Sequence, residues 1–415
     1  MRRVLTYILL TFLLCGIASA QPKGETSAFL DAAAAYAEGD YNQALLRFSA
    51  LYEADPFDDA VCYYMGVCEF ALNDAEAAEK HLSEAVAIDP ENEWYLHALS
   101  TLYNAKGDQM KAAELLEKLV KKNSSLYGNP YTLTMIGDYN LRSHRDSLAL
   151  SYYNQALESD PEYAPAEFSK AELLRMQGNY APFFTSLENL IRNEDVDPTV
   201  ISDYLKEILS RIDSKFWWVW GDTLASMVDL CAELHPDDIQ SHVNRINIFY
   251  IRSDWDGVVS ECHEVQRLAS AQGNTEKLVE AYSIEGDVYH QDGDMKSTYK
   301  VYEAALKADP NYAPVLNNYA YYLSLEGRKL KKALEMSRRT IEDNPDNATY
   351  LDTYAWILYL LGKPAEAKPY FKHAMLYGGR ESDTVLEHYS KVLEALGETD
   401  LASYYHSLAE QKKAK

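Results

Sequence analysis

Residues 59–92 read DAVCYYMGVCEFALNDAEAAEKHLSEAVAIDPEN, and the punctuation of this stretch decides the fold. Asn73 supplies a residue tolerant of the left-handed conformation that ends one helix, and Asp74 after it caps the next by accepting from free N–H groups. Pro90 then stops the second helix, because proline lacks an N–H and clashes with the turn before it. Gly66 falls midway along the first helix and Ala85 late in the second, where two tightly packed helices leave no room for a bulky side chain. The stretch predicts a helical hairpin.

The same marks return along the chain. Asp55-Pro56, Asp89-Pro90, Asp160-Pro161, Asp309-Pro310 and Asn344-Pro345 include neighbours 34 and 35 residues apart. Gly39-Asp40, Gly107-Asp108, Gly178-Asn179 and Gly293-Asp294 repeat the turn, and Ala44, Ala78, Ala112 and, less well, Thr298 follow four residues beyond the capping residue. Gly137, Ala171, Gly286, Ala320 and Ala355 occupy the middle of further first helices, and Ala156, Ala305, Ala374 and Ala409 the end of second ones. With this order of small, Gly, Ala, Ala and Pro positions, the chain resembles the tetratricopeptide repeat family.

The resemblance covers eleven units at 25–58, 59–92, 93–126, 130–163, 164–197, 198–238, 239–272, 279–312, 313–347, 348–382 and 383–415. It implies an all-α fold, an α-solenoid of about eleven hairpins wound as a right-handed superhelix with a concave surface, because a single hairpin cannot bury its apolar face and stacked neighbours can. The expected organisation is a signal peptide at 1–20, an amino-terminal block of five repeats at 21–197, a divergent segment of two at 198–278 and a carboxy-terminal block of four at 279–415. Unit six departs most, lacking the Gly turn and carrying Phe216, Trp217, Trp218 and Trp220. Non-standard packing is expected there, with the aromatics buried at the junction in preference to forming an exposed partner site.

The chain has 415 residues, 39 Lys+Arg against 64 Asp+Glu, and 33 Tyr against 11 Phe. A net charge of −25 argues against nucleic acid, whose binding draws on cations that neutralise phosphates. Arg2 and Arg3, the apolar run Val4 to Ala18 and the small-x-small ending Ala18-Ser19-Ala20 predict a secretory signal cleaved before Gln21. Leu14 stands where acylation of Cys15 would need a small residue, so a lipoprotein is the weaker reading. No later run is long enough to span a bilayer. The expected place is outside the cytoplasm, periplasmic or extracellular, with a peripheral seat at the outer membrane among the options. Cys62 and Cys68 lie too far apart on one helix to bridge, Cys231 and Cys262 on neighbouring helices have the option of pairing, and small buried apolar side chains are the favoured role for all four.

No catalytic constellation, cofactor motif or metal-ligand spacing stands out. His263-Glu264 begins like a zinc-protease helix, but Arg267 replaces the second histidine. The expectation is a non-enzymatic scaffold or adaptor for a protein or peptide partner. In the family, four positions of each first helix line the groove. By that resemblance the candidates are Phe29, Tyr36, Tyr63, Phe70, Trp94 and Tyr131 in the amino-terminal half. In the carboxy-terminal half they are Asn317, Asn318, Tyr321, Asp352, Trp356 and Tyr359, with Glu387 and Lys391 beyond. Inter-repeat packing is the competing role for each aromatic, and an alternative function is carbohydrate or cell-wall binding by ring stacking. The family's two-carboxylate clamp is not implied, because only Asn318 matches while Ser283, Asp287, Thr349 and Thr353 lack its cations. The basic run Arg328, Lys329, Lys331, Lys332, Arg338 and Arg339 falls on an outer helix. It reads as a solvated face paired with carboxylates, with an acidic partner or lipid head groups as the alternative.

Overall fold

Capping chemistry sets the helix boundaries. In the computed structural model, which describes residues 23–414, Asp40 Oδ1 accepts from the Gln43 N–H and Asp74 Oδ1 from the Ala77 N–H, at 3.0 and 3.1 Å. The residues before them, Gly39 and Asn73, hold φ of +84° and +65°, the left-handed conformation the turn demands. His144 and Ser253 adopt the same conformation without glycine, so the fourth and seventh hairpins turn the same way although their sequences hide it.

The described chain is all helical and forms two compact units, divided between Val196 and Asp197. The first holds five hairpins. They are α1 (Lys23–Glu38) with α2 (Tyr41–Ala54), α3 (Asp59–Ala71) with α4 (Ala75–Ile88), and α5 (Glu93–Ala105) with α6 (Gln109–Lys122). A short α7 (Ser124–Tyr127) precedes α8 (Pro130–Arg142) with α9 (Asp146–Ser159), and α10 (Ala164–Met176) pairs with α11 (Tyr180–Arg192). The second holds six. They begin with α12 (Pro198–Arg211) and α13 (Ser214–Leu234), α14 (Ile239–Ile251) and α15 (Trp255–Gln272), and α16 (Thr275–Gln291) and α17 (Met295–Ala308). They end with α18 (Ala313–Leu325) and α19 (Leu330–Asp343), α20 (Ala348–Leu360) and α21 (Pro364–Ala374), and α22 (Asp383–Ala395) and α23 (Thr399–Lys413). Each unit is a solenoid of stacked hairpins. The signal-peptide segment at 1–20 lies outside the described residues.

Small residues close several of the hairpins. Ala85, Ala156, Ala305, Ala374 and Ala409 have no exposed surface, and a methyl group built on Gly66 would lie 2.6 Å from Leu82 Cγ. Cys62, Cys68, Cys231 and Cys262 are all free and buried. Burial pushes the Cys62 thiol up to about 11 and the Cys262 thiol up to about 12, which removes the reactive thiolate at neutral pH.

Tyrosine joins one hairpin to the next. The Tyr95 hydroxyl on α5 donates to Asp59 on α3 at 2.9 Å, Tyr52 on α2 to Glu84 on α4 at 3.0 Å, and Tyr152 on α9 to Glu117 on α6 at 3.3 Å. In the second unit Tyr322 on α18 donates to Asp287 on α16, which also accepts from Tyr302 within its own hairpin. A phenol is an amphipathic body with a neutral donor at its tip, so it can pack in the seam and still satisfy a carboxylate.

The sixth hairpin is built differently. Its first helix α12 packs more extensively on α14 than on its own partner α13, and the buried Asn244 amide on α14 donates to the Ser202 carbonyl of α12 at 2.7 Å. The expected burial of the tryptophan cluster does not hold for Trp218, which is 87% exposed, with Val219 also exposed beside it. The cause is length. Helix α13 has 21 residues and its buried set begins only at Gly221, so its first two turns lack a covering helix on the Trp218 side.

Candidate binding surface

The first helices of the amino-terminal unit carry the aromatic candidates, and the structure divides them. Phe29 meets Phe48 and Tyr64 edge-on at 5.6 and 5.7 Å, Tyr36 lies 5.3 Å from Tyr64, and Tyr63 lies 5.1 Å from Tyr95. Phe70 packs against the core formed by the second and third hairpins. Burial pushes the Tyr36 phenol up to about 12, in keeping with a ring enclosed by neighbours. These four side chains are engaged in packing. Trp94 and Tyr131, by contrast, are 52% and 53% exposed. Each is the second residue of its helix, in α5 and α8, so two consecutive repeats present an aromatic ring at one equivalent position.

The carboxy-terminal candidates form a closed polar and aromatic cluster. Trp356 stacks on His388 with ring centroids 3.9 Å apart and on Tyr359 at 5.1 Å, and the Lys391 ammonium lies 5.5 Å from its centroid. His388 Nδ1 lies 3.0 Å from Asp352, while Tyr321 lies 6.4 Å from His388. Trp356, Asp352 and Asn317 are buried, so they support the surface from beneath and do not face solvent. Among the described residues the Trp356 indole N–H and the Asn317 side-chain oxygen have no hydrogen-bond partner. The Asn318 amide donates to Asp287 at 3.1 Å, which commits the one residue that matches a carboxylate clamp. Burial raises the Asp287 carboxyl above its ordinary range, opposed by the hydrogen bonds from Tyr302 and Asn318. Glu387 is held down to about 2 by Lys413 first and Lys391 second.

His388 was not legible as part of this cluster. The available signal is an acid on one first helix and a histidine 36 residues later, at the equivalent face of the next. His263, read in sequence as half of a failed zinc motif, instead pairs with Glu285 at 3.0 Å. Among the described residues no three His, Cys, Asp or Glu side chains are grouped to hold a metal ion, and no helix is long and apolar enough to cross a membrane.

Two tetratricopeptide-repeat family models match the chain, one over residues 35–101 and one over 251–414, together more than half of its length. No curated protein sequence matches it significantly. Solved structures to which it is similar include MamA, at 16% identity over 38% of this chain and 93% of that one with a TM-score of 0.28. Another is the P58(IPK) TPR domain, at 15% identity over 91% of this chain and 99% of that one with a TM-score of 0.29. Proteins built of these repeats are in general non-enzymatic, and the hairpin stack makes this chain a protein–protein interaction scaffold. By its caps, its close-packing positions and both family matches, the chain belongs to the tetratricopeptide-repeat family.

Proposed function

We propose that this scaffold works outside the cytoplasm and holds an extended segment of a partner protein along the first helices of the third and fourth hairpins, anchored on Trp94 and Tyr131. The observation that carries the reading is their shared exposure at one repeat position, since the other aromatic candidates of that unit are committed to packing. Exposed Trp and Tyr are the side chains that most often dominate binding energy at such surfaces. The acidic balance of the chain favours a neutral or basic partner segment over a nucleic acid.

Affinity capture from an envelope extract with the chain beginning at Gln21 is expected to retain a stoichiometric protein that a Trp94→Ala, Tyr131→Ala double variant loses. Truncating half-exposed rings leaves the core intact, so equal retention by both forms would overturn the groove reading. If a peptidoglycan fragment instead quenches tryptophan fluorescence in the parent only, and no protein is captured, the carbohydrate reading replaces it. Amino-terminal sequencing of the chain from its producing cell tests export, which requires Gln21 in place of Met1.

A further inference from the structure

A second surface lies on the outer helices. A cleft of about 350 Å³ opens between α17 and α19, floored by Leu306, Leu316, Tyr319 and Met336 and bordered by Lys307, Lys332 and Arg339. Lys332 Nζ stands 4.8 Å from the Tyr319 ring centroid. The Arg339 guanidinium donates to the Pro310 carbonyl and the Asn311 side chain, which fixes it at the opposite rim. Among the described residues none of these three cations pairs with a carboxylate, although Arg328 and Arg338 of the same basic stretch pair with Glu326 and Glu342. The one acid in the wall, Glu303, accepts from the Tyr319 hydroxyl at 3.0 Å. Three such cations therefore gather around one apolar recess in a chain of net charge −25.

We propose that this cleft docks an acidic segment of a partner protein, an apolar side chain entering the recess while flanking carboxylates meet Lys307, Lys332 and Arg339. Charge complementarity selects an anion, and the apolar floor selects one that carries a side chain. A short segment answers both demands. An anionic membrane, being flat, would leave the recess unfilled and would be repelled by the remainder of the acidic chain.

The test uses the full chain and a fluorescein-labelled hexapeptide with two leucines between pairs of glutamates, read by fluorescence anisotropy. Binding is expected, weakening as salt is raised and lost when the leucines become serine or the glutamates glutamine. A Lys332→Glu, Arg339→Glu double variant is expected to bind about tenfold or more weakly, and Lys307→Gln, at an exposed position, is expected to weaken binding in the same direction. Arg338→Gln on the same helix is expected to leave binding unchanged. Circular dichroism establishes that each variant is folded. The proposal is overturned if the peptide fails to bind, if the folded charge-reversed or Lys307 variant binds as the parent does, or if phosphatidylserine vesicles bind and the peptide does not.

Discussion

A methyl group added at Gly286 would collide with the ring of Tyr302, whose hydroxyl donates to Asp287 on the same first helix. The ring is fully buried, so it cannot swing away without breaking that hydrogen bond. Gly286→Ala is therefore expected to destabilise the chain by about 1–3 kcal/mol, seen as a lower urea midpoint at an unchanged denaturant slope. An unchanged midpoint would show that the seam between α16 and α17 has slack. The need for a small residue here was legible in the sequence from its repeat position. The identity of the ring that imposes the need was not, because it depends on how two helices cross.

At the scale of the element, α14 and α15 are joined by a buried ion cluster. His242 Nδ1 lies 2.7 Å from Glu261, and Arg245 reaches the same carboxylate at 2.8 Å. The hydrogen bond to Glu261 raises the His242 pKa above its ordinary value of 6.5, against the effect of burial. A raised folded-state value means that protonation favours the native state. The contribution is thus complete below about pH 6.5 and lost as pH rises through the higher folded value. His242→Gln is expected to narrow its stability deficit relative to the parent as thermal melts are taken from pH 6 upward, and a constant deficit would refute the linkage. Hairpins such as α3 with α4 were readable because capping is local, with Asp74 bonding a residue three positions away. Trp218 was misread because its exposure depends on where α12 and α14 end relative to α13. The histidine–carboxylate pairs were also hidden, since His242 and Glu261 sit on different helices and ordinary surface polarity has the same sequence pattern. Among the groove candidates the repeat position alone did not separate Trp94 and Tyr131, which are exposed, from Tyr63, which packs against Tyr95.

Across the whole molecule, the abundance of tyrosine answers to the abundance of acid. Phenols at Tyr95, Tyr152, Tyr302 and Tyr322 each donate to a carboxylate on another helix. Burial, reinforced by those carboxylates, pushes Tyr152 and Tyr322 up to about 12. The unfolded chain releases these protons near the ordinary phenol value of 10, so stability is complete below that pH and is lost as pH rises towards the folded values. An alkaline titration is expected to show tyrosinate absorbance lagging behind that of free tyrosine and rising together with loss of helical circular dichroism. Ionisation near pH 10 with helicity intact would contradict this account of the seams.

The tyrosine joints have a colloidal consequence. An ion pair offsets one negative charge for every contact it makes, whereas a neutral phenol donates a hydrogen bond without adding positive charge and leaves the carboxylate charged. The acids that fasten hairpin to hairpin therefore still count toward the field around the protein, and mutual repulsion of that kind keeps molecules dispersed in solution. Cohesion within a molecule and separation between molecules are served by the same oxygen atoms.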